Sequence, residues 1–321
     1  MTIYTVRHIT TYHYKEPVAF GEHRMMLAPR EDPDQRLLDL NLEITPQPSD
    51  LRWSRDVYGN RMAVAYFSGR AALLRVESVM RVDHSLTDIA DANIEDSAKS
   101  YPFACAADDL PHLINFIERD SADPDHRVKT WAQSFLRGGA SINTRALLID
   151  MTHGIQKGFT YKRRHEKGIQ DPLETLNLAS GSCRDLAVLM IDAVRSLGLA
   201  ARFVSGYLHV RHVGDARGGN THAWVQVYVP GCGWIDFDPS SGVVGNRGLI
   251  RAAVARDPRQ AIPLQGVWIG GGGDSLGMKV EVRVSSADAG ESERLGAQGL
   301  DVNEDGRLPL LMPPARRPVP A

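Results

Sequence analysis

Cysteine is scarce in this chain and forms no pattern: Cys105, Cys183 and Cys232 are odd in number and include no Cys-x-x-Cys pair. That argues against a disulfide scaffold and against a structural zinc site. Long apolar runs are missing too, since nothing approaches the ~20 residues of a membrane span. No excess of one charge offers a footprint for nucleic acid, because 37 basic and 39 acidic residues leave a net charge of −2. Residues 3–9 alternate like a strand and lack a secretory leader's charged start and apolar block, so a cytoplasmic location is expected. The Gly270–Gly273 run lacks the Gly-Lys-Ser/Thr of a phosphate loop, His209 and His212 have no further ligands nearby in sequence, and no dense acidic loop suggests calcium. No metal, cofactor, membrane or nucleic-acid partner is therefore expected. What is present, 43% hydrophobic and 24% charged residues over 321 positions, is ordinary globular composition with room for two domains.

Residues 1–95 read as a β-rich domain. Period-two runs recur at 3–11, 37–44, 62–67 and 73–82, with turn chemistry at Glu31-Asp32-Pro33-Asp34 and Tyr58-Gly59-Asn60. Residues 96–250 read as a second unit that begins with helices. Asp123-Pro124 looks like an N-cap with proline at N1, Asn143 caps a second helix, and Asp171-Pro172 starts a short third. Strands return at 202–208, 223–229 and 234–237. A hairpin within 251–285 is expected to pack on the core or on the N-terminal domain, and 286–321 has the composition of a disordered tail. The fold class is α+β.

The chemistry centres on Gly181-Ser182-Cys183-Arg184-Asp185. Ser182 and Asp185 fit a capping box, which puts Cys183 in the first turn of a helix. Leu186, Leu189, Met190, Ala193, Val194 and Leu197 then form one apolar stripe, and Cys183 lies three residues ahead of it on the buried side. A lone cysteine on an apolar face is more commonly a small core residue. Here, however, the helix dipole favours a thiolate and nucleophilic chemistry. His222 opens a strand and Asp238 ends another sixteen residues later. The hairpin register decides whether they meet: only a five-residue loop closing Tyr228 on Trp234 puts His222 and Asp238 on one face, a diagonal step apart. Asp236 competes for the carboxylate role but lies nearer the turn. Cysteine as nucleophile, histidine as base and carboxylate as orienter would suit attack on an acyl carbon, with the Cys183 N–H as an oxyanion donor. Cys105 and Cys232 lack such surroundings, and Lys162-Arg163-Arg164-His165 is expected to be a solvated basic face.

At these residues the chain resembles the transglutaminase-like superfamily of papain-like thiol enzymes. Gly181-Ser182-Cys183-Arg184-Asp185, His222-Ala223-Trp224 and Trp234-Ile235-Asp236-Phe237-Asp238-Pro239 match its core motifs. Tyr14, Pro17, Gly21-Glu22-His23-Arg24, Pro29-Arg30 and Asp56-Val57-Tyr58-Gly59-Asn60 resemble the N-terminal β region of bacterial members. Ala255-Arg256-Asp257-Pro258 stands where that group usually has Gly-Arg-Asp-Tyr. The resemblance implies Cys183 as nucleophile, His222 as base and Asp238 as orienter, with Tyr161 the candidate second oxyanion donor and Asn177 the runner-up. The expected function is acyl transfer at a peptide or protein amide through a cysteine thioester, most simply hydrolytic. The alternatives are a protein-glutamine γ-glutamyltransferase and a peptide-binding module without catalysis.

Overall fold

The computed structural model describes residues 1–137, 141–164, 168–209 and 219–288. The N-terminal runs become β1 (Thr2–Met25), β2 (Gln35–Thr45), β3 (Asp50–Arg55), β4 (Arg61–Tyr66) and β5 (Arg70–His84), ordered β2-β5-β1-β4-β3 in one antiparallel sheet. A short strand pair, β6 (Ser100–Tyr101) with β7 (Ile142–Asn143), then brackets α1 (Leu110–Ile117) and α2 (Arg127–Ser134). Next come α3 (Thr144–Gly158), β8 (Thr160–Tyr161), α4 (Pro172–Leu178), β9 (Ser180–Gly181) and α5 (Cys183–Ser196).

Three helix starts show how the caps act. Asn143 Oδ1 accepts the Ala146 N–H at 3.0 Å, and Asp171 accepts the Leu173 N–H at 2.9 Å. Asp123 also caps, but from outside: its carboxylate accepts the N–H groups of Arg127, Val128 and Lys129. The helix expected at Asp123-Pro124 therefore begins only at Arg127, because His126 sits in the left-handed region at φ 54° and makes a turn in between.

The remaining strands are β10 (Ala201–His209), β11 (Gly219–Val229), β12 (Gly233–Asp238), β13 (Val243–Val244), β14 (Leu249–Ala255), β15 (Leu264–Ile269) and β16 (Ser275–Asp288). Five of them form the core sheet, ordered β13-β12-β11-β10-β14. One face, with Phe203, Val225, Val227, Val229 and Phe237, packs on the apolar stripe of α5. On the other face, Tyr207, Ile250 and Ala252 pack on Tyr4, Val6, Met80, Val82 and Val284 of the N-terminal sheet. The layers are thus helices, core sheet and N-terminal sheet. Among the described residues, no helix is long and apolar enough to cross a membrane.

Two boundaries need correcting. A core ending at 250 would cut β14, which is the edge strand beside β10 and is buried at all seven positions. Cover on both faces erases the period-two signal that would have assigned it to a sheet. The expected hairpin is not one: β15 and β16 each pair antiparallel with a different part of β1, Ala19–Met25 and Thr2–Tyr14, and so extend the N-terminal sheet to seven strands. Because β16 runs to Asp288, residues 286–288 are strand, and the rest of the expected tail lies outside the described residues.

Gly206 of β10 lets its neighbours in the core sheet approach closely by having no side chain. A Cβ there would lie 2.1 Å from the Ile250 carbonyl oxygen and 2.7 Å from the Trp224 indole. Gly206→Ala is expected to destabilise the fold by roughly 3 kcal/mol, read as a lower urea midpoint at unchanged slope.

Candidate active site

Cys183 is N1 of α5, and its helix start is fixed by a buried carboxylate. Asp185 accepts the Ser182 N–H at 2.8 Å, the Ser182 hydroxyl at 2.7 Å, the Gln170 N–H at 2.8 Å and an Arg164 N–H at 2.8 Å. Gly181 keeps this turn tight, since a Cβ there would lie 2.8 Å from that of Asp185. Arg164 therefore does not sit on a solvated basic face as expected; it braces the turn that leads into Cys183, while Lys162 and Arg163 are exposed.

The hairpin between β11 and β12 has Tyr228 opposite Trp234 and Val225 opposite Phe237. Its loop turns through Gly231 at φ 83°. In this register the His222 Nε2–H donates to Asp238 Oδ2 at 2.7 Å. The second ring nitrogen, Nδ1, is left for the Cys183 sulfur, to which His222 is hydrogen-bonded. Asp238 is fully buried, and its other oxygen accepts the Ser240 N–H at 2.9 Å and hydroxyl at 2.8 Å. Ser241 donates its hydroxyl to Oδ2.

Asp236 shares that face and does a different job. Its Oδ1 accepts the Trp224 indole N–H at 2.6 Å, and its Oδ2 accepts from Arg251 at 2.7 Å. Trp224 in turn stacks on the His222 ring, with centroids 6.1 Å apart and planes 25° apart. Arg251 also donates to Asp32 at 3.1 Å and to Asp34, and its backbone bonds both ways with the Gln35 side chain at 2.8 and 2.9 Å. Through this arginine, the turn after β1 is tied to the strand that carries Asp238.

The electrostatics favour a thiolate beside an imidazolium. Burial alone would push the Cys183 thiol up, but the charge and hydrogen bond of His222, with the Ala223 N–H, outweigh it and the thiol ends below its ordinary value. Burial would draw His222 down; Asp238 and Cys183 reverse that and raise it to about 10. Asp238 behaves likewise: burial raises it, His222 and the two serine hydroxyls lower it more, and it stays ionised. Cys105 and Cys232 show the contrast, since burial raises both thiols.

Tyr161 is drawn to Cys183 by the parallel pairing of β8 with β9. Its phenol is hydrogen-bonded to the sulfur, and burial, followed by the Cys183 charge and that bond, raises its pKa. Asn177 lies on the exposed side of α4 and does not line the cleft. The cleft itself, about 840 Å³, runs between the two sheets. Its far wall comes from His8, Thr10 and Tyr12 of β1 and from Met278 and Val280 of β16, none of which sequence reasoning singled out. No local signal marks them, because their placement follows from strand pairing across most of the chain. His8 is buried there between Tyr207 and Thr10 at 3.1 and 3.0 Å, and burial draws it down to about 4, so it is neutral.

Comparison with known proteins agrees with this architecture. The model of the bacterial transglutaminase-like N-terminal region matches residues 4–83, and that of the transglutaminase-like superfamily matches residues 130–239. An uncharacterised protein of Mycobacterium tuberculosis is 29% identical over 279 residues, 82% of this chain and 87% of its own length. One from Mycobacterium leprae is 36% identical over 113 residues, and that match spans 34% of this chain and 40% of the relative. A solved structure from Cytophaga hutchinsonii, described as a candidate cysteine protease, has a TM-score of 0.66 over 90% of this chain and 91% of its own, at 20% identity. That likeness shows the fold. With both family models placed on consecutive parts of one chain, the protein belongs to the transglutaminase-like superfamily and carries the bacterial N-terminal region ahead of the core.

Proposed function

We propose that the chain is a thiol-dependent acyl-transfer enzyme acting on a peptide or protein amide, with Cys183 as nucleophile, His222 as base, Asp238 as orienter and water as acceptor. The observation that carries this reading is the single imidazole spanning thiol and carboxylate, with Asp238 at 2.7 Å from Nε2. In the reaction, the Cys183 thiolate attacks the amide carbon and the carbonyl becomes an oxyanion. The Cys183 N–H at the helix start and the Tyr161 hydroxyl are the donors assigned to that charge. Collapse breaks the C–N bond, and the amine leaves with the proton carried by His222. Water, deprotonated by His222, then cleaves the thioester to a carboxylic acid and the free thiol. Tyr161, beside the sulfur, is 54% exposed, so solvent reaches the intermediate and supports hydrolysis over transfer to an amine. The reading also places the protein in the cytoplasm, supported by three cysteines that form no disulfide.

Incubation with a mixed peptide library, with and without an added primary amine, tests it. New peptide carboxyl ends should appear with wild type, and their rate should fall more than about 10⁴-fold in Cys183→Ala. Equal turnover by that variant, or no acyl product at all, would sink the enzyme reading. Amine adducts in place of new acids would sink the hydrolytic half of it.

A further inference from the structure

Acidic and basic residues nearly balance in this chain, at 39 and 37, yet the cleft does not share that balance. Arg163, Arg164, Arg184 and Arg259 line it, and no aspartate or glutamate appears among its described lining residues. Two of the four are neutralised locally. Arg164 donates to Asp185 at 2.8 Å, and Arg259 holds Asp257 with bonds of 2.9 and 3.0 Å. Arg163 and Arg184 form no ion pair among the described residues and are exposed.

Both line the same cleft as Cys183 and His222. Arg184 follows Cys183 directly at the second position of α5. Arg163 is near enough to the Tyr161 phenol to act on it by charge, and that phenol is hydrogen-bonded to Cys183. The amino end of α5 adds its own positive potential to the same spot. A cleft with low-dielectric walls concentrates such a field on whatever enters. Across from the arginines the wall is apolar and open: Ile262 is 40% exposed, Met278 57% and Val280 42%.

We propose that the substrate carries carboxylates beside the amide to be cleaved, gripped by Arg163 and Arg184, with an apolar portion laid against Ile262, Met278 and Val280. This substrate class rests on the acyl-transfer reading above. Guanidinium forks suit carboxylates because two parallel N–H groups meet two oxygens. Each exposed pair contributes a few-fold in affinity, so the two together give about tenfold.

The test uses the full chain with Cys183→Ala, so that binding is read without turnover. Fluorescence anisotropy compares labelled hexaglutamate with an amidated end, hexaglutamine with a free carboxyl end, hexaglutamine with an amidated end, and a short oligothymidylate. A carboxylate-bearing peptide should bind about tenfold more tightly than the uncharged one. Which of the two does so tells whether side-chain or terminal carboxylates are held. Adding Arg163→Gln with Arg184→Gln should erase the difference, whereas Arg259→Gln, whose partner is Asp257, should leave it. Equal binding of all peptides, no binding, an unaffected double variant, or oligothymidylate binding as tightly as hexaglutamate would each overturn the proposal. Failure of the catalytic reading shows elsewhere, in whether Cys183 alkylation by neutral iodoacetamide depends on His222.

Discussion

Replacing His222 with alanine is expected to slow alkylation of Cys183 by iodoacetamide at pH 6, by up to roughly 300-fold if the wild-type thiol is fully ionised there. The argument is one of ionisation, since only the thiolate reacts. An ordinary cysteine has a pKa of about 8.5, so at pH 6 only about one thiol in three hundred is ionised. In the wild type the thiol is held below its ordinary value by His222 against the opposing effect of burial. Lowering a thiol's pKa keeps the thiolate populated as pH falls, so wild-type labelling should persist well below pH 8. Without the imidazolium, burial acts unopposed and the inflection moves up. The measurement is a rate profile by mass spectrometry from pH 5 to pH 10, and a wild-type inflection near that of a free thiol would defeat the pairing. Asp238→Asn supplies a second arm. Asp238 is the chief group raising His222 to about 10, so its loss should draw in the alkaline limb of the activity profile, where the imidazolium gives up its proton.

The Arg251→Met variant is expected to lose about 3–5 kcal/mol of stability and roughly 10 °C in Tm. Asp32 and Asp34 keep some exposure, 20% and 18%, and can rehydrate when the arginine goes. Asp236, at 3%, cannot. Burial already pushes the Asp236 carboxyl up, and Arg251 is the first group that opposes it. A carboxyl whose folded pKa is raised stabilises the fold when protonated and ceases to as pH climbs through that value. The deficit should therefore shrink as pH drops towards the carboxylate range. Adding Asp236→Asn should restore part of the loss at neutral pH, because the amide oxygen still accepts from Trp224. Calorimetry on the two variants checks both statements, and a double variant no more stable than the single one would contradict the buried-charge account.

The site was more legible in the sequence than the fold around it, for a physical reason. Cys183 and its cap are local, and a helix start is written within four residues. His222 and Asp238 lie on adjacent strands of one hairpin, so only one register had to be chosen, and the observed pairing of Tyr228 with Trp234 is the one that brings them together. The same register set Asp238 ahead of Asp236, but what Asp236 does instead was hidden, because its partners Trp224 and Arg251 belong to three-dimensional packing. Strand partners over long distances were out of reach. Alternation identified β16 as a strand without indicating that it pairs with β1, and β14 hid because it is buried on both sides. With those pairings unseen, the cleft wall built from residues 8–12 and 278–280 was invisible as well.

The pairing of β1 with β16, from Thr2 opposite Asp288 to Tyr14 opposite Ser275, bears on how the protein is made. During synthesis the thiol-bearing helix emerges first, and the strand carrying Met278 and Val280 follows on the order of ten seconds later at ordinary elongation rates. Until then the ribosome-bound chain carries Cys183 without one side of the cleft. The cleft is thus walled only once β16 has paired with β1. A nascent chain released before that strand would hold the thiol without this wall.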